Sequence, residues 1–112
     1  MNRFQQLLSS RGLALRRELF GEDQLETLQS RNSFAVFLIK RGRPEDLAEA
    51  EVHLRDVLEG RRRRLGNDHP TVANTENNLA NLLDDLGREP EAIALFREAI
   101  RAWSTSLGPE HP

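Results

Sequence analysis

Leu65-Gly66-Asn67-Asp68-His69-Pro70 returns at the end of the chain as Leu107-Gly108-Pro109-Glu110-His111-Pro112, 42 residues later. A weaker copy, Phe20-Gly21-Glu22-Asp23-Gln24-Leu25, places its glycine 45 residues before Gly66. Each of the first two glycines is followed 21 residues on by another, Gly21 by Gly42 and Gly66 by Gly87. Within these intervals Asn32, Phe34-Ala35 and Leu38 answer to Asn77, Leu79-Ala80 and Leu83. The following halves also align, with Ala50, Leu54, Val57 and Leu58 against Ala92, Phe96, Ala99 and Ile100. The three extra residues of the first unit fall around Arg43-Pro44-Glu45-Asp46, in a connecting turn, where an insertion costs little loop entropy. A period of this length is the mark of a repeat architecture, in which each unit needs a neighbour to bury its second apolar face.

Each unit reads as two helices. Val72, Leu79, Leu82, Leu83 and Leu86 supply one apolar face, and Pro70 suits a first helical turn because its missing N–H has no intrahelical partner to lose there. Gly87 follows as a left-handed stop. Ala92, Leu95, Phe96, Ala99, Ile100 and Trp103 then form a stripe at i, i+3, i+4 spacing. The first unit repeats the plan with Leu28, Phe34 and Leu38, then Leu47, Ala50, Leu54, Val57 and Leu58. Residues 4–20, with Leu7, Leu8, Leu15 and Leu19, read as a further helix ending at Gly21. Gly12 inside it costs about 1 kcal/mol relative to alanine. No alternation of β-branched residues offers a strand. The expected divisions are 1–20 as a partial or degenerate repeat, 21–66 as the first full repeat and 67–112 as the second, ending where a third would begin.

Composition excludes several classes of function. The chain has 112 residues, 38% apolar and 30% charged, with a net charge of −2. That mild acidity argues against a general nucleic-acid binder. Without cysteine there is no disulfide framework, thiol nucleophile or cysteine-ligated metal. No apolar run approaches a membrane span and no secretory leader is evident, so the expected compartment is the cytoplasm. The seven glycines are scattered singly and form no phosphate loop. Asp84 and Asp85 are adjacent on a helix end with no basic or nucleophilic partner nearby in sequence. His69 and His111 recur at the same repeat position, which marks them as loop and cap residues, and His53 falls among charged residues on a helix, where exposure is expected. No catalytic residue, metal ligand or cofactor is therefore assigned.

The sequence resembles tetratricopeptide repeats, in particular the long variety of 42 residues found in kinesin light chains. The resemblance rests on Leu-Gly-x-x-His-Pro, Asn77-Asn78-Leu79-Ala80, Leu86-Gly87 and Glu91-Ala92-x-x-Leu95-Phe96-x-x-Ala99-Ile100. It implies an all-α fold of antiparallel helix-turn-helix hairpins stacked into a short right-handed solenoid. It further implies small residues at Ala35, Ala50, Ala80, Ala92 and Ala99 where helices cross closely.

By the same resemblance the first helix of each hairpin lines a concave groove that takes an extended peptide or a partner helix. The residues expected there are Gln29, Asn32, Asn74, Asn77, Asn78, Asn81 and Asp85, with Ser33, Val36, Ile39, Lys40 and Asp84 beside them. Asparagine is a poor helix former, so four in one helix ask for a reason. A side-chain amide offers two donors and an acceptor, which suits a peptide backbone. For Asn77 and Asn78 hydrogen bonding between repeats is the competing explanation. The expected function is thus a non-catalytic protein–protein interaction module with a protein or peptide partner, and neither nucleic acid nor membrane. The alternative is a piece of a longer array, or a self-associating chain, acting through open solenoid ends that carry Leu7, Leu8 and Leu15 at one side and Ile100–Trp103 at the other.

Two charge features accompany this. Arg61 to Arg64 is a run of four, read as a cation cluster that the helix dipole favours at a C-terminus, or as a nuclear signal or a site for an acidic partner. Residues 1–64 carry a net +3 and residues 65–112 a net −5, a split that favours head-to-tail association.

Overall fold

The computed structural model describes residues 24–107, which form four helices. These are α1 (Leu25–Arg41), α2 (Pro44–Leu65), α3 (Pro70–Asp85) and α4 (Glu89–Leu107). Among the described residues there is no strand. The helix expected over residues 4–20 and the junction from Gly108 to Pro112 lie outside the described residues.

The turns follow the punctuation of the sequence. Pro44 opens α2 and Pro70 opens α3, each at a position whose N–H needs no intrahelical acceptor. His69 caps α3: its Nδ1 accepts from the Thr71 N–H at 3.0 Å, so the recurrent histidine satisfies one of the orphan donors of the first turn. At the other end Gly87 has φ +78°, a left-handed conformation. The Gly87 N–H donates to the Asp84 carbonyl at 3.0 Å and the Arg88 N–H to the Leu83 carbonyl at 2.8 Å. This pair of bonds is the Schellman closure, and a Cβ at residue 87 would strain it.

The helices pair as two hairpins, α1 with α2 and α3 with α4, and α3 also packs on α2. One apolar core runs through all four. Ala35 and Leu38 come from α1, Ala50, Leu54 and Leu58 from α2, Val72, Leu79, Ala80, Leu82 and Leu83 from α3, and Ala92 from α4. The alanines expected at the crossings, Ala35, Ala50, Ala80, Ala92 and Ala99, are all buried. A smaller cluster of Ala73, Ala99 and Ala102, with Trp103 against it, closes the far end of α3 on α4.

Ion pairs add to this frame. Between α2 and the start of α4, Glu51 accepts from Arg88 at 2.7 Å and Arg55 at 2.9 Å, and Arg55 reaches Glu91 at 3.0 Å. Pairs this exposed contribute about 0–1 kcal/mol each, against about 1.5–3 kcal/mol for each fully buried leucine. The apolar seam, not the charge network, therefore holds the hairpins together.

His53 departs from expectation. It is half-buried between α1 and α2, where it accepts from the Arg31 Nε–H at 3.3 Å and sets its ring edge-on to Phe34 at 5.4 Å. An apolar neighbour one helix away outweighs the charged residues beside it in sequence.

Two outcomes follow. Leu79→Ala, which empties the centre of the seam, should cost about 2–5 kcal/mol in urea denaturation. Asp46, buried at the start of α2, accepts both Arg41 Nε–H and Nη2–H at 2.7 Å. The Arg41 guanidinium holds the Asp46 carboxyl below its ordinary value of 3.8. A depressed carboxylate contributes its stability above the unfolded value and loses it as pH falls through the folded one. Asp46→Asn should therefore destabilise the protein at neutral pH, and the gap to the parent should close as pH drops below 3.8.

Candidate functional site

The first helices of the two hairpins, α1 and α3, lie along two adjoining clefts that share Asn78. The upper cleft has a volume of about 450 Å³ and is lined by Gln29, Asn32, Arg61, Thr71, Asn74, Asn77 and Asn78. The lower cleft, about 200 Å³, is lined by Val36, Ile39, Lys40, Asn78, Asn81, Leu82 and Asp85. All seven residues expected at the groove thus line it: Gln29, Asn32, Asn74 and Asn77 in the upper part, Asn81 and Asp85 in the lower, and Asn78 in both. Ser33 and Asp84 line neither cleft.

The helical period explains this convergence. Asn74, Asn77, Asn78, Asn81 and Asp85 follow one another at i, i+3, i+4, i+7 and i+11, a stripe on one side of α3. Buried Val72, Leu79 and Leu83 occupy the other side, and buried Leu82 sits at the border, where it also lines the lower cleft. Asn74, Asn81 and Asp85 are exposed, and Asn77 and Asn78 are half-buried.

Arg61 is the residue that sequence reasoning misplaced. The run Arg61–Arg64 does not act as one cluster. Arg63 pairs with Glu59 on the same helix at 2.8 Å, Arg64 is exposed, and Arg62 crosses to α3 and donates to Glu76 Oε2 at 2.8 Å. Arg61 turns inward and is only 4% exposed. Its Nη1–H donates to Thr75 Oγ1 at 2.7 Å and its Nη2–H to Gln29 Oε1 at 2.8 Å. Burial pushes its pKa down from the ordinary arginine value. A signal for this was present. Leu54, Leu58, Arg61 and Leu65 stand at i, i+4, i+7 and i+11, so Arg61 belongs to the buried stripe of α2.

The amides divide by role. Gln29 is exposed but bonded within the chain, since its Oε1 accepts from Arg61 and its Nε2–H donates to Ser33 Oγ at 3.3 Å. It sets the position of Arg61. Asn32 differs: its Oδ1 is buried and has no hydrogen-bond partner among the described residues. An acceptor left in that state costs about 1–3 kcal/mol until a donor reaches it. Thr75 also donates to the Thr71 carbonyl at 3.1 Å, so the α3 end of the upper cleft is held by a continuous chain of bonds from α1 through α2.

Among the described residues no group of three or more histidine, aspartate or glutamate side chains is disposed to hold a metal ion. No helix among them is long and apolar enough to cross a membrane.

Stacked helix hairpins with an amide-lined cleft along their first helices define a helical-repeat protein. A family model for the tetratricopeptide repeat matches residues 44–105, more than half of the chain, and the chain belongs to that family. The match begins at the first residue of α2, so α1 with Gln29 and Asn32 precedes it. None of the curated proteins matches the chain significantly. Tetratricopeptide repeats generally mediate protein–protein interaction and generally act as non-catalytic scaffolds.

The division of roles has a measurable consequence. Gln29→Ala removes an acceptor from a buried guanidinium and should cost about 1–3 kcal/mol of stability. Asn74→Ala, at an exposed lining position, should change stability by less than about 0.5 kcal/mol. Urea melts of the two variants compare them directly.

Proposed function

We propose that this chain is a binding module whose double cleft holds an extended peptide or a partner helix. One observation carries the proposal: seven residues selected for their place on the first helices line two clefts that meet at Asn78. The upper cleft is polar. The lower one adds an apolar wall of Val36, Ile39 and Leu82 between Lys40 and Asp85. Amides supply donors and acceptors for a peptide backbone, and the apolar wall supplies a seat for a side chain. Gln29, Asn32, Asn74, Asn77, Asn78, Asn81 and Asp85 are the proposed contact residues.

The finer features belong to the same proposal. The 42-residue spacing of the Leu-Gly-x-x-His-Pro segments favours the kinesin-light-chain variety of repeat, with units at 21–66 and 67–112 after a partial unit at 1–20. The absence of cysteine is in keeping with a cytoplasmic setting.

A second reading, association through the ends of the stack, has its own support. Phe34 and Phe37 on α1 are 44% and 52% exposed, whereas Leu79 and Leu82, their counterparts by the repeat, are buried in the seam. Ile100 on α4 is 60% exposed, whereas its counterpart Leu58 is buried.

For the leading reading, Asn78→Ala and Asn81→Ala should each weaken capture of a bound peptide about tenfold, as expected for a lost interaction of roughly 1.4 kcal/mol, with an unchanged helical circular dichroism signal. Capture that survives both changes would remove the groove from the account. For the second reading, Ile100→Glu should lower the solution mass measured by light scattering, and an unchanged mass would exclude association through that end.

A further inference from the structure

The α2–α3 seam is a template for what the two ends of the stack lack. Within it α2 supplies Leu54 and Leu58, α3 supplies Leu79 and Leu82, and Arg62 crosses to Glu76 at 2.8 Å. Shifted back by the 45-residue repeat, Leu79 and Leu82 become Phe34 and Phe37 on α1. Shifted forward by the 42-residue repeat, Leu54 and Leu58 become Phe96 and Ile100 on α4. Phe34, Phe37 and Ile100 are exposed and Phe96 is half-buried. So α1 presents the α3 side of a seam and α4 the α2 side, each without its other half among the described residues. The α1 patch is ordered in advance. Its two rings stack with centroids 6.3 Å apart, and the Arg41 guanidinium lies 5.3 Å from the Phe37 ring centroid. Aromatic side chains are enriched at protein interfaces, and a patch already held in place loses less freedom on contact.

We propose that a second copy of the chain supplies the missing half: α4 of one copy lies on α1 of the next in the register of α2 on α3, with Phe96 and Ile100 against Phe34 and Phe37. This rests on the end-association reading given above and names its partner and its polarity. Charge chooses the polarity. Head-to-tail stacking brings the −5 of residues 65–112 to the +3 of residues 1–64, whereas a two-fold contact joins like to like. The register chooses the occupant. The rival for α1 is the chain's own residues 4–20, which put Leu13 in the place of Leu58 but Ser9 in that of Leu54 and Arg17 in that of Arg62. On α1 the place of Glu76 is held by Arg31, so that pairing sets cation against cation. From α4 the same three places receive Ile100, Phe96 and the neutral Ser104. Arg31 is already satisfied within its own hairpin by Asp56, at 2.8 Å, and by His53, and it needs no charge opposite it. Each copy carries one face of each kind, so the contact is heterologous and repeats from copy to copy.

The test is light scattering over a concentration series on the full chain, on Phe34→Glu, on Ile100→Glu and on an equimolar mixture of the two variants. The parent mass should rise with concentration. Each variant keeps only one face of the pair, so each alone should stay at the mass of one chain up to about ten times the concentration at which the parent associates. The mixture should reach twice that mass and stop there, because Phe34→Glu supplies an intact α4 and Ile100→Glu an intact α1. Both positions are exposed, so helical circular dichroism should be retained, and Phe37→Glu, at the more exposed ring, replaces Phe34→Glu if it is not. Association of one variant by itself would overturn the head-to-tail pairing and leave an end contact of another polarity. Two monomeric variants whose mixture stays monomeric would overturn it as well. A parent that remains one chain at every concentration would remove end association and this pairing together, and a lowered urea midpoint in Phe34→Glu would then put residues 4–20 on α1.

Discussion

The seam between α2 and α3 is the constraint on which the rest depends. Neither hairpin can bury both faces of its helices, so each relies on the other. Leu54 and Leu58 from α2 and Val72, Leu79 and Leu82 from α3 lie in one core that also takes in Ala35 and Leu38 of α1 and Ala92 of α4. The cleft exists because this seam sets α1 and α3 side by side. A hairpin alone would keep half of the lining residues and none of the enclosed volume.

The same seam carries one buried cation, Arg61. Arg61 occupies a place in the stripe of α2 where leucine would pack without desolvating a charge. Replacing buried charges with apolar groups is often neutral or stabilising, so stability alone does not account for an arginine here. Gln29 and Thr75 hold the guanidinium from two different helices, and the cleft is where its remaining donors find room.

The architecture was legible in the sequence because it is written twice. The segment Leu65-Gly66-Asn67-Asp68-His69-Pro70 stands at the junction of α2 and α3, Pro44 and Pro70 open helices, Gly87 closes one, and the alanines at the crossings are buried where expected. The groove residues were legible for a similar reason: Asn74, Asn77, Asn78, Asn81 and Asp85 form a polar stripe at helical spacing opposite an apolar one. What escaped was contact across helices. The run of four arginines invites a single electrostatic explanation, yet the helical turn sends Arg61 to the core, Arg62 to Glu76 and Arg63 back to Glu59. His53 looks exposed beside its charged neighbours and is half-buried by Phe34, a residue of another helix. Local composition is silent on which side of a helix a neighbour stands, and only the period of the stripe recovers part of it.

The central claim is that the two hairpins form one cooperative unit through the α2–α3 seam, and native-state amide hydrogen exchange in low denaturant tests it most directly. Amides at the centres of all four helices should open with one common free energy and respond alike to denaturant. Amides of α1 and α2 opening as a separate unit, at a lower free energy than those of α3 and α4, would contradict it.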